Sequence, residues 1–126
     1  MTGVQSEMKA IIEAVSALRT PAIPGEYDIH GQIAEALARA QIDFTHEYRL
    51  RPRCRIDFRA GRIGIEVKKG RPASSELTRQ LRRYLESEEL DGMIVVTQRA
   101  VNLPATLCGK PVFLLSLNRL WGVALP

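Results

Sequence analysis

Apolar residues recur every three to four positions in three stretches of the chain and every second position in several others. The first helical stretch is Ser6 to Arg19, with Met8, Ile11, Ile12, Val15 and Leu18 on one stripe. Segment 20–25, TPAIPG, breaks it. That stripe needs a partner, either the rest of the chain or a second copy. A second helix is predicted from about Glu26 to Ala40, with Ile29, Ile33, Ala36, Leu37 and Ala40 facing inward. Glu26 and His30 precede Ile33 and Leu37 on one line of the helix, so both flank the buried stripe. Glu35 shares the solvated side with Asp28, Gln32 and Arg39. A third helix runs from a cap at Ser74 or Ser75 to about Glu89, burying Leu77, Leu81, Tyr84 and Leu85. Alternation over Ile42 to Leu50 predicts a strand, and Met93 to Thr97, MIVVT, suits a buried one. Leu103 to Gly109 reads as a connection, Pro111 to Leu117 as another strand and Trp121 to Leu125 as a last short element.

The centre of the pattern is Arg55 to Lys69, RIDFRAGRIGIEVKK. It predicts two strands joined by a tight turn at Ala60-Gly61. With those two residues as the loop, Phe58 pairs with Ile63, Asp57 with Gly64 and Ile56 with Ile65. Paired residues share a face. Ile56, Phe58, Ile63, Ile65 and Val67 then form one apolar face, and Asp57, Glu66 and Lys68 share the other. Gly64, opposite Asp57, is expected to leave open space. Two carboxylates and an ammonium beside a gap suit a hard cation.

The order of elements is helix, three strands in a meander, helix, strand, then a further strand. It predicts an α/β fold with a mixed sheet of about four to five strands flanked by helices, in the order α-β-β-β-α-β after an extra N-terminal helix. At 126 residues the chain fits a single domain, 1–126, divided into an N-terminal amphipathic helix (1–20), a core (26–97) and C-terminal strands (98–126). No run of 18 apolar residues suggests a membrane span, and no basic-then-apolar leader stands at the N-terminus. The expected setting is cytoplasmic. Cys54 and Cys108 have no zinc spacing and suggest free thiols.

Charge changes the picture more than composition does. The net charge of +4 conceals a segregation. From Arg49 to Arg83 there are twelve Lys or Arg against three acids, a net +9, which leaves −5 for the rest. A local field of this sign favours a polyanion, nucleic acid first. No nucleophile elbow, Walker loop, zinc-protease helix or Cys-His pattern competes.

Asp57 followed nine residues on by Glu66-Val67-Lys68, in hairpin strands between two helices, resembles the PD-(D/E)XK nuclease superfamily over roughly 26–97. Gln80-Leu-Arg-Arg-Tyr84 in the following helix is similar to the Q-x-x-x-Y motif of its RecB-like members. Ile56 stands where the name-giving proline would be. The resemblance implies a restriction-endonuclease-like core and a Mg²⁺- or Mn²⁺-dependent hydrolase of phosphodiesters in DNA, leaving 5′-phosphate and 3′-hydroxyl ends. It implies Asp57, Glu66 and the Val67 carbonyl oxygen as metal ligands and Lys68 as the group that orients or helps activate water. Glu26 or His30 would complete the site, and Gln80 would hold substrate or Lys68. Tyr84 would support its helix or contact DNA. Arg55, Arg59, Arg62, Lys69, Arg71 and Arg79 are the candidate phosphate contacts. Two other readings share these residues: a non-catalytic nucleic-acid-binding module, and an assembly protein whose N-terminal helix forms a homodimer or larger complex.

Overall fold

The computed structural model describes residues 3–17 and 26–117, with the backbone alone at 26–28. The expected break at 20–25, Leu18, the side chain of Glu26 and the element at Trp121 to Leu125 lie outside the described residues. Two helices come first, α1 (Gly3–Ser16) and α2 (Glu26–Arg39). Strands β1 (Thr45–Arg51), β2 (Cys54–Ala60) and β3 (Ile63–Lys68) follow, then α3 (Ser74–Leu85) and β4 (Gly92–Thr97). A two-residue strand β5 (Thr106–Leu107) and β6 (Lys110–Ser116) complete the order.

The strands form one mixed sheet of six in the order β1-β2-β3-β4-β6-β5. β1, β2 and β3 are antiparallel neighbours, β3, β4 and β6 run parallel, and β5 is antiparallel to β6. The mixed α/β architecture and the parallel pairing across α3 are as expected. The additional strand is β5, in what the pattern marked as a connection. Cys108 and Gly109, at φ 54° and 72°, turn it back onto β6. Two residues are too few for alternation to signal a strand.

Helices cover both faces. Met8, Ile11 and Val15 of α1 and Ile29, Ile33 and Leu37 of α2 pack on Phe58, Ile63, Ile65, Val67, Ile94 and Val96. Leu77, Leu81, Tyr84 and Leu85 of α3 pack on Cys54, Ile56, Met93 and Val95. Every residue of β4 is buried, because helices lie on both of its faces. The α1 stripe therefore packs on the chain's own sheet. The helix begins three residues earlier than its pattern suggested, with Val4 against the core.

α3 ends at Leu85 rather than Glu89. The released residues reach the hairpin: Glu89 accepts hydrogen bonds from Tyr48 Oη and Arg59 Nη1, each at 2.6 Å, and Leu90 is buried. Neither serine caps the helix. Ala73 occupies the N-cap without a side-chain bond, and Ser74 Oγ donates to the Asn102 carbonyl at 2.5 Å.

The hairpin register departs from expectation. Ala60 pairs with Ile63, Arg59 with Gly64 and Phe58 with Ile65, so the loop is Gly61-Arg62. Gly61, at φ 61°, takes the first loop position, where a left-handed conformation is least costly. Ile56 also changes sides: it lies in the α3 cluster, while Phe58 lies in the opposite one. Alternation is reversed between them. On the neighbouring strand Glu47 adopts φ 58°, and the faces switch there as well: His46 stacks on Phe58, and Tyr48 packs toward α3. Gly64 does not open a gap. A Cβ there would collide with Met93 Sδ and come within 3.2 Å of Leu90 and 3.3 Å of Ile56. The missing side chain is filled space.

Candidate active site

The β2–β3 ladder stops at Phe58–Ile65, and beyond it side chains replace backbone partners. Asp57 Oδ2 accepts from the Val67 backbone N–H at 2.7 Å. Glu66 Oε1 accepts from the Asp57 backbone N–H at 3.2 Å. Each carboxylate thus reaches the other's strand. The two face each other at the fork where β2 leaves β3, at the carboxyl end of a parallel strand, a usual place for sites in open α/β sheets.

Glu66 is only 4% exposed. Burial, then the charge of Asp57, raises its pKa to about 7, with Lys68 opposing. Lys68 Nζ lies 3.2 Å from Glu66 Oε2. The Tyr84 hydroxyl is 3.2 Å from the same oxygen and 3.1 Å from the Arg55 carbonyl, and it accepts from Gln80 Nε2 at 2.9 Å. Its single proton serves one of those two oxygens at a time. Burial and Glu66 push the Tyr84 hydroxyl far above the usual phenol range. Tyr84 is itself 4% exposed, so it braces Glu66 from behind and offers no surface to DNA. Gln80 bonds Tyr84, not Lys68.

On the α2 side, His30 Nε2 is 3.8 Å from Asp57 Oδ2, and His30 Nδ1 is 2.9 Å from His46 Nε2. His46 was missed. Its place in the alternation of β1 put it on the same face as its neighbours, but only the β1–β2 register, His46 opposite Phe58, brings it to His30. Glu35 is solvated, paired with Arg39 at 2.6 Å, as its helical position required.

The expected basic surface divides. Arg59 pairs with Glu89 and lies 4.7 Å over the Tyr48 ring. Arg62 pairs with Asp91 at 2.5 Å and also donates to the Glu88 carbonyl. It stands in the turn just before β3, six residues and roughly 20 Å along the strand direction from Lys68. These two arginines hold the α3–β4 connection to the hairpin. Arg55 lies 3.6 Å from Glu47 and is half exposed. Lys69, Arg71 and Arg79 are exposed, with no ion-pair partner among the described residues.

Among the described residues no cluster of three His, Cys, Asp or Glu forms a ready metal cage. Mg²⁺ does not require one, since it takes one or two carboxylates and completes its shell with water and phosphate. Asp57 and Glu66 are hard oxygen donors that disfavour each other's charge, so the donor set fits such an ion. No family model, curated protein or solved structure matches the chain. Cys54 is buried, Cys108 exposed, and both are free. No described helix is long and apolar enough to cross a membrane.

Proposed function

We propose that the chain is a metal-dependent nuclease that hydrolyses phosphodiester bonds in DNA. The observation that carries this reading is the convergence of Asp57, buried Glu66 and Lys68 where β2 parts from β3. A bound divalent cation supplies Lewis acidity toward water and the scissile phosphate. Asp57 and Glu66 would hold it, with the Val67 carbonyl as a third donor. Lys68 lies close enough to Glu66 to orient a water on that side and to offset negative charge developing on phosphate. Gln80 and Tyr84 hold the Glu66 carboxylate in place. His30, itself held by His46, faces Asp57 from the opposite helix.

The test is cleavage of plasmid and single-stranded DNA in Mg²⁺, Mn²⁺ or EDTA. Metal-dependent cleavage is expected, falling about 100-fold or more in Lys68→Ala with the circular dichroism spectrum unchanged. Binding without cleavage in any metal would replace this reading with a non-catalytic nucleic-acid-binding module. One observation favours that alternative: Lys68 and Tyr84 already satisfy Glu66 from within the chain. An assembly role for α1 is a separate question, tested by the oligomeric state; Met8, Ile11 and Val15 of that helix are buried in the chain's own core.

A further inference from the structure

We propose that the cleft between the β3–α3 loop and α3 is a phosphate-binding subsite for one nucleic-acid strand, with Arg79 and Arg83 as its anion-holding pair. The proposal rests on the nucleic-acid reading above and names the part of the surface that carries it. The cleft measures about 360 Å³ and is walled by Lys68, Glu76, Arg79, Gln80 and Arg83. Two of those residues also belong to the carboxylate site. Lys68 contacts Glu66, and Gln80 bonds Tyr84. A group lying in the cleft is therefore adjacent to the proposed cleavage position.

The cations of the basic segment differ in what they already hold. Arg51 lies 3.8 Å from Glu86, Arg55 lies 3.6 Å from Glu47, and Arg59 and Arg62 are closely paired with Glu89 and Asp91. Arg79 and Arg83 are exposed, one helical turn apart on α3, and have no carboxylate within 4 Å among the described residues. Guanidiniums without partners along a concave wall focus positive potential and favour an anion with several acceptor oxygens. Arg83 gained no role from the sequence, because its helical position marks it only as exposed.

Size and lining narrow the ligand. The volume is near the low end of pockets for small ligands, roughly 300–1,000 Å³, which suits one sugar-phosphate unit rather than a duplex. No aromatic residue lines the cleft, so bases have no stacking platform there. Contacts to phosphate and sugar position a strand without reading its sequence. Glu76 is the one carboxylate on the wall. It disfavours an anion at the start of α3 and places the phosphate toward Arg79 and Arg83.

The experiment separates binding from cleavage. In an Asp57→Asn background with EDTA, a short fluorescent single-stranded oligonucleotide is titrated by anisotropy at several salt concentrations. Arg79→Ala/Arg83→Ala should weaken binding about tenfold and flatten the slope of log K against log salt by about 1.4, two contacts at roughly 0.7 each. Glu76→Gln should tighten binding. The charge-matched control Lys9→Ala/Arg39→Ala, on α1 and α2, should change neither slope nor affinity comparably. If the cleft pair and the control behave alike, or if no oligonucleotide binds at low salt, the subsite is overturned. The nuclease reading is judged separately, by wild-type cleavage in Mg²⁺, so either can fail alone.

Discussion

Glu66 concentrates the site's energetics in one carboxylate. Its pKa in the folded chain, about 7, lies above its ordinary value because burial and Asp57 oppose ionisation. A raised acid pKa means that the folded state binds the proton more tightly than the unfolded one. The associated stability is fully present below about pH 4.5 and is lost as pH rises through about 7. The change is on the order of 3 kcal/mol. Urea midpoints at pH 5 and pH 8, without metal, should show wild type losing stability relative to Glu66→Gln across that interval. Saturating Mg²⁺ should reverse much of the loss at pH 8 and little at pH 5, because the ion needs the deprotonated carboxylate. A pH-independent difference between the two proteins would show that Glu66 is not held in this environment. Tyr84→Phe removes the hydroxyl that joins Gln80 to Glu66 and leaves part-buried polar atoms unpaired. It should cost about 1–3 kcal/mol in chemical denaturation. The identities of these residues were legible in the chain. Their couplings were not, because each bond joins residues from different elements.

Among the elements, the hairpin was legible as two strands and misread in register. Sequence alternation carries parity, and the observed register differs from the expected one by two residues on β3, which leaves the parity of the pairing unchanged. Asp57 and Glu66 converge because the ladder ends beside them and each carboxylate accepts from the backbone of the other strand. Nothing in alternation reports that a single residue at positive φ reverses the faces, as happens at Glu47 opposite the Asp57 region. Glycine at position 47 would relieve the left-handed penalty while losing only a weak, exposed contact to Arg55. Glu47→Gly should therefore stabilise the fold by about 1 kcal/mol, read as a raised denaturation midpoint. Gly64→Ala tests the same element from the other side. Its new methyl meets Met93, Leu90 and Ile56, so a loss of about 1–3 kcal/mol is expected. A neutral substitution would mean that the space beside Glu66 is open after all.

For the whole molecule, three layers follow from three amphipathic helices and a sheet whose central strands, β3 and β4, are buried on both faces. α1 is part of that core: Ile11 is 2% exposed and Val15 fully buried. Ile11→Ala should destabilise the chain by about 2–5 kcal/mol. The melting temperature of this variant and of wild type should not vary with protein concentration if the helix packs only on its own sheet. A concentration-dependent midpoint would return α1 to the role of a subunit interface.

Local pattern alone carried the existence of the helices and central strands, the clustering of positive charge, and the choice of Asp57, Glu66 and Lys68 as candidates. Helical and strand periodicities are local, and a few residues suffice to express them. The packing of Gly64, the opposite layers of Ile56 and Phe58, the reach of His46 to His30, and the carboxylates that hold Arg59 and Arg62 emerge from the folded contacts. Those outcomes depend on register and on contacts between residues some 16 to 30 positions apart. Such contacts form only when the sheet closes, and no local pattern encodes which charge a long side chain will meet.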